Sequence, residues 1–469
     1  MHGTPRRASH PLRRIIVAGC LAVVYSACVT SPVATEFFRQ IGATERHFGL
    51  LGGLPMILLT MQFVGAWLCN RVRRRRPWFV TLAIAGRLLY LPVAFLPLWP
   101  GFAPQPGLAL LIGLIALSAA LGHATVPLWF AWMGDLIPHR VLNRYWGVRQ
   151  GAMLLVWTMV YLAIAVFTFY TPGLPARYSF PALTLIGCAA GVSDILLFLR
   201  VREPPNSVTV SEHPWRRLME PLRDRNYRTL VWFSCYFSGV TNLAAAFMLI
   251  YALKGLQLEV WKATVIWCAA AVGNAVVSPM WGRIADRHGH RPVLRICVAL
   301  KPLIALVFAL VTREHAFGVL SAAFFFDAML NSGVQIASNG FMLKEAPREN
   351  RSMFIAANSA LSGIAAGLGA IAGGYILEAT ASFSVAALGR VWNHYHLIFL
   401  LSFALRLYAV RLSGRIREPA STGSMEVLNE LLALWPVKAL LFPMGLYRRI
   451  RGAGDHGASA GLVRGRGME

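Results

Sequence analysis

The stretch Trp281-Gly282-Arg283-Ile284-Ala285-Asp286-Arg287-His288-Gly289-His290-Arg291-Pro292 lies between two long apolar runs and reads as GxxxDRxGxR. Each part suits a turn between two helices at a membrane surface. A glycine lets helices approach closely, and an acid ending one helix can bind the orphan N–H groups that open another. The flanking arginines keep such a turn among anionic headgroups. The argument requires that the runs on either side cross a membrane, and composition supports this. The chain is 57% hydrophobic and 14% charged, with a mean hydropathy of +0.55, well outside the usual soluble range of roughly 45–50% apolar and about 25% charged. Twelve runs are long enough to span a hydrocarbon core of about 30 Å. They lie near 14 to 35, 48 to 69, 78 to 98, 107 to 130, 150 to 170, 179 to 200, 228 to 252, 261 to 281, 292 to 312, 316 to 342, 353 to 378 and 393 to 413.

A net charge of +25 raises the question of nucleic acid. The basic residues are instead sorted by loop. With the N-terminus cytoplasmic, about 35 of the 45 Lys and Arg fall in cytoplasmic segments, including the loops Arg71 to Arg76, Arg140 to Arg149, Arg283 to Arg295 and Lys344 to Arg351. The positive-inside rule then puts both termini in the cytoplasm, facing an anionic inner leaflet, and makes the chain an integral protein of the cell inner membrane. No soluble module interleaves aromatic and basic residues, so no nucleic acid is expected. Seven cysteines fall singly in apolar segments or at their ends and imply neither a metal site nor a disulfide framework. A cleaved leader ending near Cys28 is the other reading of the first run. Tyr25 suits a cleavage box poorly, and losing that run would leave an odd number of spans.

A polar segment divides the chain. Residues 1–200 form one six-helix half and 228–418 another, joined by a cytoplasmic central loop at 201–227 in which Trp215 to Arg225 forms a surface helix. A cytoplasmic tail follows at 419–469. Its apolar stretch Met425 to Tyr447, broken by Pro436 and Pro443, is expected to lie in the interface rather than cross. Repetition supports the two halves. Asn70-Arg71, followed by Arg73 to Arg76, stands where the second half has Asp286-Arg287 and Gly289 to Arg291. Asp135 through Pro138 followed by Asn143-Arg144 matches Glu345 through Pro347 followed by Asn350-Arg351.

With these motifs the chain resembles the major facilitator superfamily of secondary transporters, up to about Glu418. The implied fold is an all-α membrane protein, two six-helix bundles around a mid-membrane cavity lined by the first, fourth, seventh and tenth helices. The implied motif residues are Gly282, Asp286, Arg287, Gly289 and Arg291, with Asn70 and Arg71 as an eroded copy in which Asn can cap a helix but carries no charge.

On the tenth helix Asp327, Asn331, Gln335 and Asn339 recur every four residues along one face. A carboxylate at mid-membrane costs about 2.5 to 3.5 kcal/mol on insertion scales, so Asp327 must face the cavity or a partner. It is the first candidate for binding substrate or a proton, the alternative being a helix-to-helix hydrogen bond that serves packing. Ser238 and Asn242 on the seventh helix, with Ser234 and Thr241, form a second polar face, which packing alone also explains. His123 on the fourth helix is a candidate titrating group or a hydrogen-bonded structural residue, and Glu36 with Arg39 is expected at the outer mouth. Arg87 and Lys301 hold matching places in the third and ninth helices, with Asp194 and Asp327 the available intramembrane acids, and Arg87 with Asp194 is the favoured pair. Arg406 is expected to snorkel to the cytoplasmic end of the last helix.

The leading functional reading is a monomeric secondary transporter of a small-molecule substrate, working by alternating access, with protons as a coupling ion through Asp327. It needs no cofactor and is not an enzyme: the chain has neither a phosphate-binding GxxxxGK[ST] loop nor an HExxH or Cys/His ligand cluster. A transporter-fold scaffold or sensor is the other reading.

Overall fold

A computed structural model describes residues 9–137, 142–206, 222–345, 351–387, 389–416, 418, 421–423 and 426–427. Twelve helices among them are long and apolar enough to cross a membrane. They are α1 (Leu12–Gln40), α2 (Glu45–Arg71), α3 (Arg76–Leu98), α4 (Pro104–Leu136), α5 (Tyr145–Tyr170) and α6 (Ala176–Phe198). The second half holds α7 (Tyr227–Gly255), α8 (Val260–His288), α9 (His290–Leu310), α10 (Ala316–Met342), α11 (Phe354–Ala379) and α12 (His394–Ser413). Each matches an apolar run in the sequence, because in hydrocarbon a backbone must satisfy its own hydrogen bonds and a helix does so locally. Most of the helices overrun their apolar runs by several residues, carrying charged groups out of the core.

Local chemistry sets several of the breaks. The first span is interrupted at Thr30–Ser31 and resumes with Pro32 at a position that needs no N–H. At the start of α7 the Asp224 side chain accepts from the Tyr227 amide at 2.8 Å. Between α8 and α9 the chain turns at Gly289, whose φ of +91° is one that a side chain would strain. The link between α11 and α12 is not plain loop: Ser384–Ala387 (β1) pairs antiparallel with Arg390–Asn393 (β2), Val385 opposite Trp392. Asn393 then opens α12 by accepting from the Tyr395 amide at 3.1 Å. The expected surface helix at Trp215 to Arg225 falls mostly outside the described residues, as does the interfacial stretch Met425 to Tyr447.

Two ends of the bundle differ. At the end where α1 begins and α12 finishes, the buried apolar residues form two separate cores. One contains Ile15, Phe79, Trp132 and Phe198 from the first half, and the other Tyr227, Trp281, Cys297 and Phe341 from the second. At the far end a single core runs across both halves, joining Phe37, Phe48 and Phe180 to Phe247, Phe308 and Phe399.

Small residues make that junction. A Cβ added at Gly367 of α11 would stand 2.5 Å from the Gly53 carbonyl oxygen of α2, so these two backbones touch. The neighbouring Gly369 faces the other way, 2.2 Å by the same measure from the Gly239 oxygen of α7. The α11 glycines therefore serve one contact between halves and one within a half. The close packing of α2 on α11 involves Glu45 through Thr60, while from Met61 onward α2 packs on α4.

Candidate functional site

The far end is closed by polar contacts as well as by core. Glu45 of α2 accepts from Lys254 Nζ of α7 at 2.5 Å and from Tyr395 Oη of α12 at 2.8 Å. Phe169 of α5 meets Trp261 of α8 edge to face at 5.2 Å. Glu36 and Arg39 pair at 2.5 Å in the wall of a cavity of about 460 Å³ at this end, shared with Thr168, Lys254 and Trp261.

Deeper in the second half, α10 presents its polar stripe. Asp327 accepts from Lys301 Nζ of α9 at 2.7 Å through one oxygen and from the Asn331 amide at 2.8 Å through the other. Lys301 is sealed, 1% exposed, whereas the Asp327 side chain keeps 21% of its surface. Asn331, Gln335 and Asn339 are exposed, and the Gln335 amide donates to Asn339 at 3.0 Å. Ser332, one position round the helix, ties α10 to α8 through Ser278 at 2.7 Å. Asp327 thus has a buried cation on one side and open space on the other.

Arg406 does not snorkel. It is 1% exposed, with its Nη atoms donating to the carbonyls of Lys301 at 3.3 Å and Thr241 at 3.1 Å. A mid-bundle guanidinium can end on backbone oxygens when the neighbouring helices leave them within reach. The α7 face is quieter: the Asn242 amide donates to the Ser238 carbonyl of its own helix at 3.0 Å.

In the first half Arg87 of α3 binds both Asp194 and the Gly191 carbonyl of α6, and its guanidinium lies 5.2 Å from the Tyr25 ring. The Asp194 side chain is 2% exposed and that of Arg87 16%, so the acid of this pair is closed off. His123 Nε2 contacts the Pro55 carbonyl of α2 at 3.2 Å. An oxygen with no proton to give fixes that nitrogen as the N–H donor, and the ring joins α4 to α2. Arg149, counted above with the cytoplasmic loops, is inside α5, half-buried, 4.9 Å from the Trp129 ring and 5.3 Å from the Trp146 ring.

The motif end carries a correction. The acid that binds the N–H groups opening α9 is Glu418, which accepts from the His290 and Arg291 amides, each at 2.8 Å, and from Lys344 Nζ at 2.8 Å. Burial raises the Glu418 carboxyl, but Lys344, the Arg291 amide and His290 outweigh it and hold the group below its usual range. Asp286 is exposed and makes no hydrogen bond or ion pair among the described residues. Gly282 has open space beside it, while a Cβ at Gly289 would meet Glu418 at 2.9 Å. Arg291 reaches the Gly414 carbonyl at 3.4 Å, and Arg287 keeps its place beside Asp286 at the end of α8.

The first half repeats this device. Glu203 accepts from the Arg75 and Arg76 amides that open α3. Arg75 is buried and bonds Asp135 at 2.6 Å. Asn206 caps the end of α2 by donating to the Cys69 and Val72 carbonyls, while Asn70 is exposed and Arg71 stacks 4.4 Å over Trp67. The sequence signal for both acids is a repeat: Arg202-Glu203-Pro204 after the sixth span and Arg417-Glu418-Pro419 after the twelfth.

A family model described as Major Facilitator Superfamily matches residues 15–274 and 263–424. Among curated proteins the chain is 28% identical over 164 residues to multidrug resistance protein MdtG of Dickeya zeae, a match covering 32% of this chain and 37% of that protein's length. Among solved structures it is similar to the nucleoside transporter NupG, at a TM-score of 0.64 and 12% identity, over 87% of this chain and 98% of that one. It is also similar to a bacterial homologue of the human lysosomal transporter Spinster in an inward-facing, occupied conformation, at a TM-score of 0.65 and 14% identity, over 90% of this chain and all of that one. These likenesses share the fold seen here, a pair of six-helix bundles. With twelve membrane helices and a family match across nearly its whole described length, this chain is an integral membrane transport protein that belongs to the major facilitator superfamily.

Proposed function

We propose that the protein is a secondary transporter that moves a small solute by alternating access, and that the conformation described is the one open toward its termini. One observation carries the reading: a single core spans both halves at the far end, while the terminus-bearing end has two separate cores. Two rigid halves that meet at one end and part at the other are what a rocking mechanism requires. The basic loops support a cytoplasmic location for the open end, in a bacterial inner membrane.

We further propose that Asp327 couples transport to protons. Protonation would remove the charge that holds Lys301, and the pair would re-form when the proton leaves. Its partial exposure beside Asn331 gives protons and solute access to the same group.

Two measurements test these readings. Cysteine placed at Gln335 should react with a polar thiol reagent, above the background of the native cysteines, whereas cysteine at the buried Ala370 of α11 should not; equal labelling would contradict an open terminus-bearing end. In proteoliposomes a pH gradient should drive solute uptake, and Asp327→Asn should abolish that dependence while solute exchange persists. Unchanged pH-driven uptake in Asp327→Asn would end the coupling role.

A further inference from the structure

We infer that Arg149 is an anion-binding residue of the transport cavity, and that the transported solute carries a carboxylate or similar anionic group beside a flat apolar body. The inference rests on the transporter reading above and gives it a substrate class.

Three basic residues deep in the spans are held by hydrogen bonds. Arg87 holds Asp194, Lys301 holds Asp327, and Arg406 spends both Nη atoms on carbonyls. Arg149 differs: it makes no hydrogen bond or ion pair among the described residues, whereas Arg406, whose Nε like that of Arg149 is buried without an acceptor, has both Nη atoms bonded. Asp194, the acid whose field reaches it, is already bound by Arg87. A guanidinium withdrawn from water without an acceptor favours any anion that can reach it.

What surrounds Arg149 is aromatic. Trp129 of α4 and Trp146 of α5 both lie against the guanidinium and pack on each other, their rings 5.5 Å apart, and Tyr145 packs on Trp146 at 5.9 Å. Indole faces hold the cation through their quadrupoles, and with Nε and Nη2 beside Gly19 the end bearing the two Nη atoms is the edge left to donate. That edge is a fork that matches a carboxylate with two parallel bonds, and the indoles supply apolar walls for whatever ring or chain bears the acid. Gly19 of α1 makes room: a Cβ there would stand 3.0 Å from Arg149 Nη2. The position is near the start of α5, at the end where α1 begins, against Gly19 of α1 and Trp129 of α4.

The second half has no matching cation. Aligning Asn143-Arg144 with Asn350-Arg351 puts Ala356 opposite Arg149. That half offers the exposed amides Asn331, Gln335 and Asn339 instead. One half thus supplies charge and the other neutral hydrogen bonds, which suits a solute with an anionic end and a polar, uncharged end.

The test uses the full-length, detergent-purified protein with benzoate, benzamide and benzylamine, and the cyclohexane analogue of each, read by thermal unfolding and tryptophan fluorescence. The carboxylates should bind about tenfold or more tightly than the amides and amines of the same skeleton. Arg149→Gln should lose that margin, Arg149→Lys should keep part of it, and Gly19→Val should lose it with the charge still present. Where Arg149→Gln proves unstable without ligand, the lysine and Gly19 variants decide. Carboxylates binding no better than their amides, or binding Arg149→Gln unchanged, would overturn the inference. In proteoliposomes, uptake of amides or amines without carboxylates would refute the substrate class and leave the transporter reading standing. A folded protein that binds carboxylates but drives no solute across would refute transport and leave Arg149 as an anion site.

Discussion

The two halves of this transporter hold their buried charges in different ways. In the first, Arg87 and Asp194 close on each other between α3 and α6, and the acid has almost no exposed surface. In the second, Lys301 is as deeply sealed, but its acid is on α10, where Asp327 keeps a free edge and a second donor, Asn331. The same device is structural in one half and accessible in the other. An acid sealed behind its cation fixes two helices, whereas an acid facing open space can exchange its partner for a proton or a ligand. The motif ends differ less. Glu203 and Glu418 bind the opening amides of α3 and α9 in the same manner, but Glu418 also gathers Lys344 and His290.

Removing one member of each pair should expose the difference most strongly. Arg87→Ala leaves Asp194 sealed without a counter-charge and should destabilise the protein by about 3–5 kcal/mol. Lys301→Ala should cost less, about 1–3 kcal/mol, because Asp327 retains Asn331 and an open side. Thermal unfolding in detergent measures both, and equal losses would erase the distinction between a closed and an accessible pair.

Next in size is the contact where the halves meet. Gly367→Val puts side-chain atoms into the Gly53 backbone and should force the far end apart, so that cysteine at Ala370 becomes reactive. Gly369→Val strains α7 against α11 within one half and should lower stability without opening that end. Matching labelling in the two variants would contradict the division of the α11 glycines into two contacts.

Glu418→Gln should cost about 1.5–3 kcal/mol, more than Glu203→Gln, because it loses charge-assisted bonds to a lysine as well as to backbone. The Glu418 carboxyl is held below its unfolded value, so its contribution is present above the ordinary carboxylate range and declines as pH falls through the folded value. Acid should therefore narrow the gap between wild type and Glu418→Gln. A gap that widened on acidification would reverse the assignment.

The smallest stability effect belongs to the opening motif. Exposed Asp286 has no bonded partner here among the described residues, so Asp286→Asn should change stability by no more than about 0.5 kcal/mol. Uptake is the sharper readout: if Asp286 latches the opposite conformation, Asp286→Asn should slow transport far more than Asn70→Ala. Equal rates would leave the intact motif no advantage over its eroded copy.

Much of this was legible in the sequence. Each of the twelve spans sits on an apolar run, and Arg87 could be matched to Asp194 because intramembrane acids are so few. The burial of Arg406 and the half-buried place of Arg149 are not legible for one reason: distance from a helix end says how far a side chain must reach, not which neighbouring helices enclose it. Glu418 was passed over because Asp286 stood inside a more conspicuous motif, although the Arg-Glu-Pro repeat was there to be read. The Glu45 contact with Lys254 and Tyr395 joins residues about 210 and 350 positions apart, with no local pattern to announce it.

The sequence by itself determined that the chain crosses a membrane twelve times, in two related halves, with its basic loops on one side. Those are properties of short windows, because the preference of a segment for hydrocarbon is summed over its own residues. Only the tertiary structure decided which end is closed, which acid opens α9, and which half-buried cation has no hydrogen-bond acceptor among the described residues. Those depend on where separate helices come together, and in an apolar medium the cost of an unmatched charge or backbone group is settled by its neighbours in space.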